Sequence, residues 1–367
     1  MTPATVGGQA AGLLYRTVPR QRSRTMANGH QDRVTTPKLA VVITCWNYEA
    51  YVSRAIRSVV SQGRDDCELV VIDDGSTDHS WEAITREGVT AYRTENRGQR
   101  AACLYGLDHT QAPFVLFLDA DDELVPGSLA TIIAALDERV AKLQFPLIQI
   151  DRDGNVTDAN DPSLGTFRSS LTLADRVLRT GVYTTPPTSG NVFRRDVCEY
   201  LREVDYDRAV DGVILFIAPF LGDVVGLSQQ LGRYRVHDRN DSGLGRPLSA
   251  ESLRRDIRRF VDRTDHLRRI LERSGRAAEL VAPEQTYYYL EHSYYLAIVD
   301  GQRVSLGNLG RLLVALWSEC YPAKTKARLT AYYLITTALP NERARRAIGY
   351  RLESGRRSAM GLLRSLL

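Results

Sequence analysis

Cysteine is scarce and scattered. Cys45, Cys67, Cys103, Cys198 and Cys320 include no Cys-x-x-Cys pair, which argues against a disulfide framework or a zinc site and fits a reducing, cytoplasmic setting. Long apolar runs are missing too. None reaches the roughly 18 residues needed to span a bilayer, and the first residues lack a continuous apolar core, so neither a membrane span nor a signal peptide is expected. Strong net charge is absent: 48 Lys and Arg against 44 Asp and Glu leave +4, too mild to argue for nucleic acid, and no nucleic-acid recognition motif is visible. What remains, 43% hydrophobic and 25% charged residues in 367, is an ordinary globular chain, long enough for two domains or for one α/β domain with a helical extension.

The most informative stretch is 113–123. The run Pro113-Phe114-Val115-Leu116-Phe117-Leu118 reads as a buried strand of a parallel sheet, and it stops where Asp119, Asp121, Asp122 and Glu123 begin, since Asp and Glu are poor strand residues. In open α/β sheets ligands bind outside the carboxyl ends of the strands. Carboxylates this close repel one another unless a cation sits among them, and hard oxygen ligands suit Mg²⁺ or Mn²⁺. The plainer reading is a solvated acidic turn in which Asp122 or Glu123 caps a following helix. Asp-x-Asp alone does not separate the two.

The flanking chain alternates strand and helix. Residues 1–38 show no sustained period and read as a disordered basic leader. A short buried strand over 39–44 leads into the turn Cys45-Trp46-Asn47-Tyr48, and Tyr51, Val52, Ala55, Ile56, Val59 and Val60 fall at helical spacing. A second strand, 68–72, ends in Asp73-Asp74-Gly75-Ser76-Thr77-Asp78, a tight turn that offers a cap for a helix from His79. A third strand is expected over 89–93, and Asn96-Arg97-Gly98-Gln99 turns into a further helix. The pattern predicts βαβ units and a parallel sheet. Beyond it, 142–150 reads as one strand, Asp151–Gly154 as a turn and 183–191 as a Pro-interrupted loop. Asp211 stands immediately before the apolar run 212–219, where the macrodipole favours an acid whatever its role. The segment 231–242 reads as a strand with Arg235 and His237 on one face.

Taken together, Thr44-Cys45-Trp46-Asn47, the helix ending Ser58-Val59-Val60-Ser61-Gln62, the block Asp73–Asp78, Asn96-Arg97-Gly98-Gln99, Leu118-Asp119-Ala120-Asp121-Asp122 and Tyr234-Arg235-Val236-His237 resemble the family 2 glycosyltransferases, from about Val41 to about Ser242. The family's Pro-x-Tyr-Asn opening is here Thr44-Cys45-Trp46-Asn47, and its Ala-Arg-Asn is Ala102-Cys103-Leu104. The resemblance implies an α/β fold of glycosyltransferase A type: a Rossmann-like, mostly parallel sheet with flanking helices over 39–245, followed by an α-helical region over 246–367. It implies an inverting, metal-dependent transfer of a sugar from a nucleotide-diphosphate donor, a UDP-sugar first, to a hydroxyl on a saccharide, lipid-linked sugar or small molecule. It would place nucleotide contacts at Thr44, Trp46, Asn47, Asp73, Asp74, Gly98, Arg100, Asp119 and Arg235. Mg²⁺ or Mn²⁺ would sit on Asp119, Asp121, Asp122 and His237, and Asp211 would be the general base. The loop 183–191 matches the place where the family builds its acceptor pocket.

Other classes fit less well. A nucleotidyltransferase usually opens with a Gly-rich phosphate loop holding Lys or Arg, which 44–47 lacks, and a phosphatase with Asp-x-Asp-x-Thr needs Thr or Val where Glu123 stands. A catalytically weak nucleotide-binding scaffold of the same fold is the alternative. From Ser249 the chain becomes helical without repeats. Leu253, Ile257, Phe260, Val261, Leu267, Ile270 and Leu271 form one stripe with arginines opposite, and helices are expected over 284–300, 306–321 and 325–339 before a basic tail. The arginine face reads either as solvated surface or as a contact with an anionic membrane, which would make the protein peripheral on the inner membrane face.

Overall fold

The computed structural model describes residues 15–17, 36–160, 164–204, 211–237, 240 and 249–353, without the side chains of 15–17, 158–160, 211, 213 and 353. The chain forms two compact units: the first takes 1–147, 186–214 and 225–234, the second 148–185, 215–224 and 235–367. The two units are interleaved in sequence.

The first unit is a sheet. Its strands run in the order Tyr15–Thr17, Ala91–Thr94, Cys67–Asp74, Leu39–Cys45, Phe114–Asp119, Asn191–Arg194 and Val140–Gln144. The four central members from Ala91–Thr94 to Phe114–Asp119 are parallel, as the alternating pattern predicts. Leu39 to Ile43 are fully buried, as strands covered on both faces must be. Asn191–Arg194 runs antiparallel to both of its neighbours. Helix Val52–Val60 buries Val52, Ala55, Ile56 and Val59, the expected stripe. Helix Gln99–Asp108 lies so close to the sheet that a Cβ on Gly106 would come within 2.2 Å of Val42 Cγ1.

Several boundaries differ from the sequence reading. Within the stretch expected to be a disordered leader, Tyr15–Thr17 pair antiparallel with Ala91–Thr94, while 1–14 and 18–35 lie outside the described residues. The single strand expected over 142–150 is two, Val140–Gln144 and Leu147–Ile150, because Pro146 has no N–H to give a ladder. Of the strand expected over 231–242, Gly232–Arg235 is strand, Val236, His237 and Asn240 are not, and 238, 239, 241 and 242 lie outside the described residues.

The second unit is mainly helical. It contains Ala250–Glu272, Tyr287–Val299, Leu306–Ser318, Ala323–Ala338 and Asn341–Glu353. Ser249, Thr286 and Ser305 cap the first three, each side chain accepting from the backbone N–H three residues on. Tyr287, Leu290, Tyr294, Tyr295, Leu312, Leu316 and Tyr333 lie in its core. Helix Asn341–Glu353 falls where the sequence suggested only a basic tail; its buried stripe is the modest Ala344, Ala347 and Ile348, flanked by arginines.

Candidate active site

Parallel pairing brings the strand ends into line. Thr44 stands opposite Asp119 on one side and Ile72 on the other, and Cys45 opposite Asp73. The carboxyl edge of the first unit therefore gathers Thr44, Asp73, Asp74 and the acidic turn 119–122, where an open sheet offers its ligand site.

The two Asp73-Asp74 carboxylates hold loops. Asp73 is fully buried and ion-paired with Arg93 at 3.1 Å. Burial pushes its pKa up, and Ser76 and Arg93 work against that. Asp74 accepts from the backbone N–H groups of Arg97 and Gly98, both at 2.9 Å. Burial raises its pKa also, those two amides opposing. Gly75, at φ +67, has no room for a side chain: a Cβ would lie 2.6 Å from the Asn96 nitrogen. Gly98, at φ +86, precedes helix Gln99–Asp108.

Asn47 ties the opening loop to the same block. It sits in the left-handed region at φ 61, which Asn tolerates better than most residues. Its side-chain oxygen accepts from Thr77 N–H at 2.7 Å, and its own N–H donates to Ser76 Oγ at 2.9 Å. Trp46 beside it is 50% exposed, so an indole face is open to a planar partner. Burial pushes the Cys45 thiol up to about 12, which leaves no ready thiolate there.

The acidic turn is held from three sides. Gln99 donates to Asp119 Oδ1 at 3.1 Å, and Asp119 N–H donates to Ser189 Oγ at 3.1 Å. Asp122 N–H donates to the Asp119 carbonyl at 3.0 Å. Ser58 Oγ accepts from Leu124 N–H at 3.0 Å and Gln62 Oε1 from Leu129 N–H at 3.0 Å, so the helix motif 58–62 fixes the chain just past the acids. Asp121 and Asp122 are buried. The Tyr48 phenol is pushed well up, first by burial and then by the charges of Asp121, Asp119 and Asp122, which puts it in the field of all three. Among the described residues, no three His, Cys, Asp or Glu side chains converge as a ready-made metal cage. The donor set nonetheless suits a hard cation of the Mg²⁺ type, which takes one or two carboxylates when phosphates supply the other oxygens.

The remaining expected residues fall elsewhere or are engaged. Arg100 donates to the Leu201 carbonyl at 3.3 Å. Asp211 opens helix Asp211–Leu221, and the neighbouring acids Asp205 and Asp207 lie outside the described residues. Arg235 and His237 belong to the second unit. Arg235 is fully buried, with its guanidinium on the carbonyls of Asp151 and Arg152 at 3.1 and 3.2 Å. The His237 N–H donates to Asn240 Oδ1. Sequence reasoning missed Tyr48, Gln99 and Ser189 as site residues. Ser189 belongs to the Pro loop, which Asn191 folds by donating to the Pro187 carbonyl at 2.8 Å; two prolines followed by Thr-Ser-Gly-Asn are its only sequence signal.

Comparison with known proteins adds to this geometry. The family described as glycosyl transferase family 2 matches residues 40–202. An uncharacterized glycosyltransferase of Nostoc sp. is 35% identical over 56% of this chain and 66% of its own length. The Campylobacter jejuni GalNAc(5)-diNAcBac-PP-undecaprenol beta-1,3-glucosyltransferase is 30% identical over 33% of this chain and 41% of its own. The chain thus spans less than two thirds of these relatives. The structure of S. aureus TarS 1–349 in complex with UDP-GlcNAc aligns with TM-score 0.47 and 15% identity over 85% of this chain and 91% of that one.

Proposed function

We propose, from the premise that this chain is a family 2 glycosyltransferase with its family domain at residues 40–202, that it moves a sugar from a nucleotide-diphosphate donor to a hydroxyl acceptor with inversion. The observation that carries this reading is the register that aligns Thr44 with Asp119 at the carboxyl edge of the parallel strands, beside the buried Asp121. The exposed Trp46 is suited to lie against a nucleobase of the uracil type, and Asp74 with the Arg97-Gly98 loop would bound that base. Asp121, with Asp119 or Asp122, would hold Mg²⁺ or Mn²⁺. Bound there, the ion supplies Lewis-acid stabilisation of the leaving diphosphate. Gln99, donating to Asp119 Oδ1, helps to fix that carboxylate in place.

Asp211 is the proposed base. It is the first described residue of the apolar helix Asp211–Leu221, and a helix N-terminus would favour an ionised acid there. A sugar hydroxyl is a much weaker acid than a carboxylic acid, so proton transfer to Asp211 accompanies attack on the anomeric carbon. One displacement inverts that carbon, and no enzyme nucleophile is needed. The acceptor is a hydroxyl of a saccharide, a lipid-linked sugar or a small molecule.

A panel of UDP- and GDP-sugars tests the reading. Metal-dependent release of nucleoside diphosphate is expected from at least one donor, and Asp211→Asn should lose about 10²–10⁴-fold of it while still binding the diphosphate. No release from any donor, with or without Mn²⁺, would remove the proposal. Unchanged turnover in Asp211→Asn would move the base elsewhere.

A further inference from the structure

Helix Ala323–Ala338 carries apolar side chains on two faces. It buries Leu329, Tyr332, Tyr333 and Thr336, and it turns Ala327, Ala331, Leu334, Ile335 and Ala338 outward. The outward set recurs at i, i+4, i+7, i+8 and i+11, so it is one continuous helix face. Leu334 is 48% exposed and Ile335 53%. The preceding helix Leu306–Ser318 buries Leu309, Leu312 and Leu316 and likewise exposes a second apolar face. Leu306, Gly310, Val314 and Trp317 share its outer face, and Leu306 is 81%, Val314 71% and Trp317 51% exposed. The two helices touch at that end: the Trp317 indole N–H donates to Thr330 Oγ1 at 3.1 Å, and Lys326 donates to the Trp317 carbonyl at 2.7 Å with its ammonium 5.8 Å from the ring centroid. The exposed indole is thus fixed, not loose. Patches of this kind mark interaction surfaces.

Charge says what the patch meets. Between residues 303 and 352, Arg311, Lys324, Arg328, Arg343, Arg345 and Arg346 are exposed, and among the described residues of that span the exposed acid is Glu342. Two copies of such a surface packed face to face would bring like charges together. An anionic lipid surface would neutralise them, and its headgroup region takes up Trp, Leu and Ile. No helix among the described residues is long and apolar enough to cross a membrane, so a contact through these helices lies on the surface. Helix Ala250–Glu272, the basic face expected from sequence, is a poorer candidate. Its exposed Arg254, Arg258 and Arg269 alternate with exposed Glu251, Asp262, Asp265 and Glu272. Arg254 is paired with Asp300, and Arg268 is spent on the carbonyls of Ala277, Leu280 and Val281.

We propose that the outer faces of Leu306–Ser318 and Ala323–Ala338 form a docking surface for an anionic membrane, with Leu306, Val314, Trp317, Leu334 and Ile335 entering the headgroup layer and the exposed Arg311, Lys324 and Arg328 of the same helices meeting lipid phosphates. This surface is independent of the transfer chemistry and is tested without it. The full chain is sedimented with vesicles of phosphatidylcholine containing phosphatidylglycerol, and with phosphatidylcholine alone. It should partition onto the first, much less onto the second, and be released in part by salt. Leu334→Gln with Ile335→Gln should lower partitioning about tenfold or more. Arg328→Gln should lower it about fivefold. All three substitutions are on exposed positions, and circular dichroism checks that the variants stay folded. Equal binding to both vesicle types, or binding unchanged by the paired Gln substitution in folded protein, would overturn the proposal. So would a wild-type dimer in light scattering that the Gln pair converts to monomer, with no vesicle binding by either, because the face would then join two copies of this chain.

Discussion

In the sheet unit, apolar strands run inward and end in acids at an edge; in the helical unit, an acid and several phenols share the interior with leucines, while Leu306 and Leu334 face outward. The comparison is sharpest between two carboxylates. Asp73 is buried beside Arg93, and burial wins, so its pKa is raised. Glu291 is partly buried, and there Arg351 and the Tyr333 and Tyr295 hydroxyls outweigh burial and its pKa is lowered. It accepts from Tyr287 at 2.9 Å, Tyr295 at 2.7 Å, Arg351 at 3.1 Å and also from Tyr333. Asp73 is thus held at some cost beside the Arg93 guanidinium, whereas Glu291 gathers four donors on one oxygen and serves the fold.

Substitutions separate these two uses of an acid. The largest effect is expected at the sheet edge: Asp121→Ala should cost about 10³-fold or more in sugar transfer, with thermal stability nearly unchanged because like charges are relieved. Transfer rates in excess Mn²⁺ and a melting curve check both halves. Next comes Glu291→Ala, which leaves Arg351 buried and uncompensated and should cost about 3–5 kcal/mol of stability by denaturant titration. Its pH dependence follows from the sign. A carboxyl whose folded pKa lies below its ordinary 4.5 stabilises the fold above that value, and the contribution is lost as pH falls through the folded pKa. Asp73, with a raised pKa, acts in the opposite sense: stability falls as pH rises from its ordinary 3.8 through the folded value. Glu291→Gln should therefore flatten the acid limb of the stability curve, and an unchanged limb would mean the network is not what holds the helices. The smallest effect is expected from Trp46→Ala, roughly 1–3 kcal/mol weaker diphosphate-nucleoside binding as for a base stacked on an aromatic ring. Calorimetry with UDP and with pyrophosphate separates base from phosphate contributions.

Much of the sheet unit was legible because its signals are local. Hydrophobic runs end in Asp at 73, 74 and 119, and a parallel sheet aligns those ends whatever the helices between them do. The motifs were visible, but their division of labour was not. Asn47, Asp73 and Asp74 are tied to backbone or to Arg93, contacts between residues about 20 to 30 apart in sequence that no spacing rule reveals. Ser189 reaches Asp119 across 70 positions. The break at Pro146 was readable in hindsight of its missing N–H, whereas the interleaving of the two units, with 148–185 and 215–224 joining the C-terminal helices, has no local signature. In the helical unit the periodicity marked most helices but not their facing. Leu334 and Ile335 would ordinarily be buried ahead of tyrosines. Ala323–Ala338 buries Leu329 with Tyr332 and Tyr333 and turns Leu334 and Ile335 outward, where Tyr294 bonds Thr336 at 2.6 Å and Thr337 at 3.0 Å and Tyr287 bonds Tyr333, a network that sets the inward side.

The central claim is that the strand-end acids hold a divalent ion for a nucleotide diphosphate. Titration of UDP and GDP into wild-type protein and Asp121→Ala, each with Mn²⁺ and with chelator, tests it most directly. The account predicts that Mn²⁺ strengthens diphosphate binding by the wild type at least about tenfold and that Asp121→Ala loses this gain while keeping the metal-free affinity. Equal affinities with and without Mn²⁺ in the wild type, or an undiminished Mn²⁺ effect in Asp121→Ala, would contradict it.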